Sequence, residues 1–485
     1  MLKNRERYKK ITIFGTKPML IVLILFVLLT ANGLYHILKP IPPGFDFTSP
    51  EQPASSVELL TDLTYLDPAG QQHSQQKIYD TFFHTIRAAR HFILLDVFLY
   101  NNFQGSLRND TRPLAEELTT CLIEQKKRHP EISIIVISDP INTVYGSIPS
   151  SHFTALRAAG IKVVITPLPP LRDSNPLYSS GWRIFARPFG SGPGKLLPNP
   201  FGTGRISLRS GLKLLNFKAN HRKVLIADQG ENMVGLVTSA NPHNGSSGHT
   251  NEAVLFNGPA VADLLTSELA VLDLAGVSYP AIPETKTTTG AYTVQILTEK
   301  AIKHAALSAI NTSKSGDRID LIMFYLSDRQ IVTALKEAHQ RGVSMRIVLD
   351  PNKDAFGRTR NGIPNRLTSN ELHRVGIPIR WADTHGEQCH AKTLRVASAN
   401  GRNLLITGSA NFTRRNLDNL NLETDVAIRG KKESPFFIAS DEFFNTIWNN
   451  ENHHQCSVDY KVFADGSMLK YLLYRICEAT GLSTF

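Results

Sequence analysis

The stretch LNFKANHRKVLIAD, residues 215–228, carries His221-Arg222-Lys223 and closes on Asp228. A second histidine and lysine with the same separation, His390-Ala391-Lys392, stand in the other half of the chain. Each copy has the same companions: Ser239-Ala240-Asn241 and then Glu252 after the first, Ser409-Ala410-Asn411 and then Glu423 after the second. From His to Asn is 20 residues in one copy and 21 in the other, and from Asn to Glu is 11 and 12. In a chain with 16 His a single His-x-Lys triplet means nothing; two that share a tail at matched intervals are not coincidence. The pattern implies one site assembled from two halves.

Around each copy the chain runs through a similar cycle. In the first, helical periodicity over Gln76 to Arg90 gives way to a strand over Phe92 to Leu99. A helix at Leu114 to Lys127, a strand at Ile132 to Ser138, a helix at Phe153 to Ala159 and a strand at Ile161 to Thr166 follow. The second repeats the order: helix Lys300 to Ile310, strand Ile319 to Leu326, helix Gln330 to Gln340, strand Ser344 to Leu349, a short helix around Glu371 and strand Ile377 to Trp381. Each cycle then delivers its motif on two strands, Lys223 to Asp228 with Met233 to Thr238, and Lys392 to Val396 with Asn403 to Thr407. Residues two apart on a strand point to one face, so His and Lys reach the same ligand. The expectation is an α/β fold built by internal duplication: two pseudo-symmetric lobes, each a mixed sheet flanked by helices.

The net charge is +11, of which the first fifty residues supply +5. The remaining basicity suits a polyanionic or anionic-membrane partner without choosing between them. Met19 to Ala31 is an apolar run preceded by Lys3, Arg5, Arg7, Lys9, Lys10 and Lys17; apolar character resumes at Leu34, which gives enough length from Pro18 to span a bilayer. Ala31-Asn32-Gly33 also offers a signal-peptidase site, but an uncleaved anchor is preferred. Either way the basic flank stays cytoplasmic and the rest of the chain is exported. The expected organisation is a basic segment 1–17, an anchor 18–38, a Pro-rich tether 39–74, a first lobe 75–285 and a second lobe 286–485. Cys456 and Cys477 suit a disulfide in an oxidising space, and Cys121 reads as a buried thiol. Cys389 with His385 is only a weak hint of a metal site, because no second ligand cluster follows.

One segment has no counterpart in the second half: about fifty residues before His221, rich in Pro, Gly and aromatics. Trp182, Phe185, Phe189 and Phe201 interleave there with Arg183, Arg187 and Lys195. It reads either as a lipid-interface surface or as an insertion packed over the sheet.

The paired HxK motifs, each followed by Ser-x-Asn, resemble the HKD signature of the phospholipase D superfamily over roughly Gln75 to Trp448. LNFKANHRKVLIAD and TGSANFTRRNLDNLNLET (407–424) resemble its bacterial membrane-anchored branch of phospholipase D-like and cardiolipin synthase-like proteins. The first copy keeps the full HxKxxxxD with Asp228, an acid that the family uses for the fold of the motif. The second has Ala397 there, and Thr238 replaces the family's glycine, which the second copy keeps as Gly408.

The resemblance implies a metal-independent phosphodiesterase or phosphatidyltransferase acting on phospholipids, with no cofactor. It implies a place in the bacterial inner membrane, N-terminus inside and catalytic domain outside. Displacing an alkoxide from a phosphodiester takes a nucleophile on one side of phosphorus and a proton donor on the other, which one imidazole cannot be at once. By resemblance His221 is the nucleophile and His390 the general acid/base. Lys223 and Lys392 would neutralise the nonbridging oxygens, with Ser239, Asn241, Ser409 and Asn411 donating hydrogen bonds. Glu252 and Glu423 would orient the imidazoles crosswise, Glu252 with His390 and Glu423 with His221. His243 and His249 lie where they could line the pocket mouth. A nuclease is the competing class, since nucleic acids are also phosphodiesters and stacking aromatics suit them; a scaffold with a degenerate site would need a broken motif. No protein partner is expected.

Overall fold

The computed structural model describes residues 2–104, 111–190, 194–280, 289–355, 358–483 and 485; for 2–17, 355 and 358 only the backbone is described. The expected lobe boundary at 285/286 lies outside the described residues.

Two large mixed sheets carry the chain. One has seven strands in the order Val57–Asp62, Asn251–Asn257, Asn232–Thr238, Lys223–Gln229, Phe92–Val97, Ser133–Ser138, Lys162–Ile165. In the nine-stranded sheet the inner seven run Tyr292–Thr298, Thr424–Lys431, Arg402–Gly408, Lys392–Ala397, Arg318–Met323, Ser344–Leu349, Ile379–Ala382. Gln52–Ala54 adds to the first edge and Ser457–Asp459 to the last. The two seven-strand series follow the same connectivity. In each, the motif strand pairs antiparallel with the strand after it and with the first strand of its cycle, and the next two strands join in parallel. Parallel neighbours need a crossover, and helices Leu114–Arg128, Ser151–Ala158, Arg329–Gln340 and Asn365–His373 supply it.

Local sequence explains the hairpins that carry the motifs. Gln229 pairs with Asn232 across a two-residue turn that Gly230 opens at φ +66, a left-handed conformation that favours glycine. In the second half Ala397 pairs with Asn403, and Gly401 at φ +80 shapes a longer turn. Strand alternation then sorts the core. Val224 and Ile226 face a cluster shared by both sheets, with Val254, Leu264, Val294, Val426 and Phe437. Leu225 and Ala227 face an outer cluster with Phe82, Leu95 and Leu118.

The segment expected to be a tether, 39–74, is instead folded into the body. Gln52–Ala54 pairs with Tyr292–Val294, and Val57–Phe256 starts a ladder running to Asp62–Asn251, so this stretch staples the two sheets together. Thr64–Leu66 and Gln72–Ser74 form a further hairpin. Alternating apolar residues such as Val57 and Leu59 bury against the sheet, which outweighs the local Pro content. The expected disulfide is absent: the four cysteines are free, with Cys456 buried beside Ala382 and Phe443 and Cys477 half-buried on the C-terminal helix. Among the described residues one helix, over Pro18–Leu38, is long and apolar enough to cross a membrane.

Asp228 caps the start of its neighbouring strand, accepting from the backbone N–H of Arg90, His91 and Phe92 at 2.9, 2.9 and 2.7 Å. Where the second copy has Ala397, the acid sits on the facing loop: Asp317 accepts from Ala399 N–H at 2.9 Å and from the Ser398 hydroxyl at 3.0 Å. Asp317 thus fastens the hairpin end of the second motif strand through donors different from those that Asp228 caps. Asp228→Ala strands buried donors and is expected to lower stability by about 2–3 kcal/mol, read as a fall in thermal midpoint.

Candidate active site

Each histidine is hydrogen-bonded to the opposite half. The N–H of His221 donates to Leu422 O at 2.8 Å, and the N–H of His390 donates to Thr250 O at 2.8 Å. The seams are reciprocal, since Leu422 N–H returns to Ala219 O and Thr250 N–H to Gln388 O, both at 3.0 Å. Both imidazoles consequently line one cavity of about 300 Å³.

The imidazoles are held differently. His221 Nδ1 lies 2.9 Å from Glu423 Oε2. Glu423 also accepts from Ser409 Oγ at 2.5 Å and from the Asn416 amide. Burial pushes the Glu423 carboxyl up, but His221, Lys223 and the Ser409 hydroxyl outweigh it and hold the carboxyl below its ordinary value. Burial lowers His221 to about 4, against the pull of Glu423. The pair is thus a carboxylate with a neutral imidazole whose Nδ1–H donates, leaving Nε2 a free lone pair.

The crosswise pairing expected for Glu252 is not found. His390 Nδ1 lies 3.2 Å from Asn251 Oδ1, and Glu252 Oε2 accepts instead from the hydroxyls of Thr393 and Thr407. Strand register explains the slip. Thr238 pairs with Ala253 as Gly408 pairs with Asp425, so Asn251 is the positional equivalent of Glu423, and Glu252 that of Thr424. Ser239 Oγ donates to Asn251 Oδ1 at 2.9 Å just as Ser409 donates to Glu423. Counting to the next acid overshoots by one residue.

The same register removes Ser239 and Ser409 from phosphate contact, since their hydroxyls are spent on Asn251 and Glu423. Asn241 and Asn411 do line the cavity. Asn241 Oδ1 accepts from Leu99 N–H at 3.2 Å, while Asn411 Oδ1 is buried without a partner among the described residues.

Lys223 and Lys392 lie buried beneath the histidines, each donating to the carbonyl of its own His, at 2.6 and 2.5 Å. Burial lowers Lys223 to about 7; burial and then the charge of Lys223 lower Lys392 well below its ordinary value. Glu423 and Asp425 oppose that lowering at both lysines, and an anionic phosphodiester would favour their charged forms further. Burial, then Lys392, likewise lowers His390.

Several lining residues escaped the sequence reading. Phe98 stands 4.7 Å edge-on from His221 and under Lys223 at 5.3 Å. Phe324 repeats this with His390 at 5.0 Å and Lys392 at 5.3 Å. Both directly follow the last residue of the first strand of their cycle, and that shared offset was a readable signal. Arg415 lines the cavity with an Nε that has no partner among the described residues. Arg222, the variable residue of the first motif, is buried between Glu268 at 3.2 Å and Glu299 at 2.7 Å, and Glu299 also accepts the Glu423 N–H at 3.0 Å. His243 and His249, which the sequence leaves open between the pocket mouth and a solvated Gly/Ser-rich loop, are buried and line the cavity. Among the described residues no group of three or more His, Cys, Asp or Glu is disposed to hold a metal ion.

Comparison with known proteins agrees with this geometry. The family described as cardiolipin synthase, PLD-like domain, matches residues 307–448, a stretch that contains the second histidine motif and its trailing Ser-Ala-Asn and Glu423. The chain belongs to the phospholipase D superfamily. Human (Homo sapiens) mitochondrial cardiolipin hydrolase is 28% identical over 141 residues, 28% of this chain and 46% of that protein. The match spans about half the length of that curated relative. Phosphatidylserine synthase of Haemophilus influenzae Rd KW20 superposes with a TM-score of 0.55 over 89% of this chain and 96% of that one, at 10% identity. At that identity the likeness shows the fold alone.

Burial raises Glu252 to about 7. A carboxyl raised on folding lends stability that is complete below its ordinary value and is lost as pH climbs through the raised one. Glu252→Gln should therefore melt higher than the parent at about pH 8 and match it in acid, while turnover of a soluble phosphodiester stays within about threefold. Glu423→Gln should lower that turnover by about 10²-fold, and Asn251→Ala by about tenfold.

Proposed function

We propose that the chain is a metal-independent phosphodiesterase or phosphatidyltransferase acting on phospholipids through a phosphohistidine, and that its halves are the two pseudo-symmetric lobes of an internal duplication. In this reading the N-terminal helix is a single-pass anchor in a bacterial inner membrane, with the site on the outer side. The observation that carries the reading is the pair of imidazoles facing one cavity with unequal partners, a carboxylate for His221 and an amide for His390.

His221 suits the nucleophile. Its Nε2 lone pair attacks phosphorus, the P–N bond forms as the P–O bond to the leaving group breaks, and Glu423 stabilises the positive ring that results. His390, which burial and the charge of Lys392 hold neutral in the empty site, takes up a proton when the anionic diester binds and gives it from Nε2 to the departing alkoxide, while Asn251 Oδ1 holds the ring by its Nδ1–H. In the second step His390 takes a proton from water or an alcohol, whose oxygen attacks phosphorus and releases His221. Lys223, Lys392 and Asn411 neutralise or hydrogen-bond the nonbridging oxygens. Water as acceptor makes the enzyme a phospholipase D; the glycerol head of a second lipid makes it a cardiolipin synthase. The human relative, named as a cardiolipin hydrolase, and the family's description as cardiolipin synthase support a lipid phosphodiester as substrate.

The deciding experiment incubates the purified full chain with phosphatidylglycerol and follows products by mass spectrometry. Cardiolipin with glycerol identifies a synthase, and phosphatidic acid with glycerol a hydrolase. No lipid turnover alongside cleavage of DNA or RNA overturns the lipid reading. With a p-nitrophenyl phosphodiester, His390→Ala should accumulate a phosphoenzyme because the second step lacks its base, and His221→Ala should form none. Activity should survive EDTA; loss that a divalent metal restores overturns the two-histidine mechanism. Because His221 sits at about 4, the acid limb of kcat/KM should lie near that value rather than near an ordinary histidine's 6.5.

A further inference from the structure

The C-terminal helix, Met468–Thr480, is inverted relative to an ordinary surface helix. Its outward face is Met468, Leu469, Leu472, Leu473 and Ile476, with Met468 and Leu469 77% and 78% exposed and Leu472 56%. Its inward face holds polar fastenings. Tyr474 is fully buried, its hydroxyl donating to Ser327 O at 3.1 Å, and Glu478 accepts from Ser327 Oγ at 2.7 Å and from Arg414 N–H at 3.3 Å. A helix so fastened presents its apolar face by construction, and a contiguous exposed apolar strip of this kind calls for a cover.

Its surroundings identify the cover. The helix ends at Gly481, which backs so closely on the Ser174 carbonyl that a Cβ would not fit. One residue earlier, Asp173 N–H donates to His36 O at 3.1 Å, in the last turn of the N-terminal apolar helix. The inserted helix Pro176–Phe185 runs beside that same apolar helix, with Ser180 Oγ donating to Leu29 O at 2.5 Å and Arg183 Nε to Asn32 Oδ1 at 2.9 Å. The insertion also exposes Leu177, Phe185, Phe189 and Leu196. Its residues 167–218 hold eight Lys or Arg against the single acid Asp173. Apolar side chains in a basic setting, next to a membrane-length helix, match the interfacial layer of a bilayer with anionic headgroups.

We propose that the Met468–Thr480 helix lies in the plane of the bilayer that receives the N-terminal helix, with the insertion as the second contact. The proposal rests on the reading of that N-terminal helix as an anchor. The Phe485 ring lies 6.3 Å from those of both Tyr474 and Tyr325, tilted to each, and Tyr325 lines the cavity together with Phe201 and Phe217 of the insertion. The two membrane contacts therefore flank the cavity mouth. A lipid reaches the histidines by a short rise from the headgroup layer, without leaving for water.

The test uses the full chain in vesicles of phosphatidylcholine with phosphatidylglycerol. Leu472→Trp adds an indole to the outward face, and acyl chains brominated near the headgroup should quench at least about half of the added emission, as contact with the interface requires. Ile438→Trp, an exposed position on the Pro435–Asn449 helix, is the comparison outside the proposed contact. Equal Leu472→Trp emission with and without bromine overturns the proposal, as does cross-linking between copies through Leu472→Cys without quenching, which assigns the face to a second chain. Retention after a carbonate wash reports separately on the anchor: retention without quenching sinks this proposal alone, and release with quenching sinks the anchor alone. Replacing Leu469, Leu472 and Ile476 together by Glu should raise KM for vesicle lipid at least about tenfold while turnover of a soluble diester is unchanged.

Discussion

Two backbone hydrogen bonds, His221 N–H to Leu422 O and His390 N–H to Thr250 O, are what the site depends on. Each ties a histidine two residues before its motif strand to the residue immediately before the opposite acid or amide, Leu422 before Glu423 and Thr250 before Asn251. The histidines are therefore positioned by main chain from the other sheet, and their side-chain partners arrive from that sheet as a consequence. Neither half holds a working imidazole pair by itself. The stapling of both sheets by the N-terminal strands Gln52–Ala54 and Val57–Asp62 has the same effect at the periphery, because one short segment, residues 52–62, bonds to each sheet in turn. Any slip between the sheets would break both histidine seams together.

Much of this was legible beforehand, and the reasons are physical. Buried parallel strands read as β-branched runs, so Ser133–Ser138 and Ser344–Leu349 stand out, and the helices between them show their apolar faces at helical spacing. The two His-Lys pairs are legible because each recurs with the same Ser-Ala-Asn tail, although each histidine lies two residues before the strand that its lysine opens. Loop lengths are where the reading failed. Ten residues separate Asn241 from Asn251 and twelve separate Asn411 from Glu423, so an interval counted along the chain selected Glu252. Only ladder register shows that Glu252 matches Thr424 and that an amide occupies the carboxylate's place. The segment 39–74 failed for a different reason: Pro-rich flanks hid a six-residue strand whose partner lies nearly two hundred residues away.

The halves differ by substitutions that mostly cancel. Thr238 donates to Glu252 O at 2.8 Å and accepts from Ala240 N–H at 3.0 Å; where Gly408 replaces it, Asp425 takes over the Ala410 N–H at 3.0 Å, and a Cβ on Gly408 would collide with that aspartate. Side chain has been traded for side chain across one rung of the ladder, Thr238 and Ala253 against Gly408 and Asp425. Across the opposite edge of the motif strand Asp228 holds the N–H groups of Arg90 to Phe92, whereas Asp317 holds Ala399 N–H and the Ser398 hydroxyl. In the exchange of Thr238 for Asp425 the N–H groups of Ala240 and Ala410 each keep an acceptor, which is the condition for it to cost little.

One difference is not cancelled, and it lies against the two imidazoles. Asn251 and Glu423 each accept from a serine hydroxyl and each face an imidazole Nδ1, so geometry is preserved while charge is not. A carboxylate stabilises a ring that becomes positive and stays so, as a phosphorylated imidazole does; an amide orients a ring but leaves it free to give up its proton. Arg222 adds to the imbalance. Its guanidinium anchors Glu299, which receives the Glu423 N–H, whereas the second motif has Ala391 at that point and no such brace. Symmetry in the fold thus delivers two equivalent histidines, and the local break in charge symmetry is what makes them inequivalent, with the fixed anion and its support both on the side of His221.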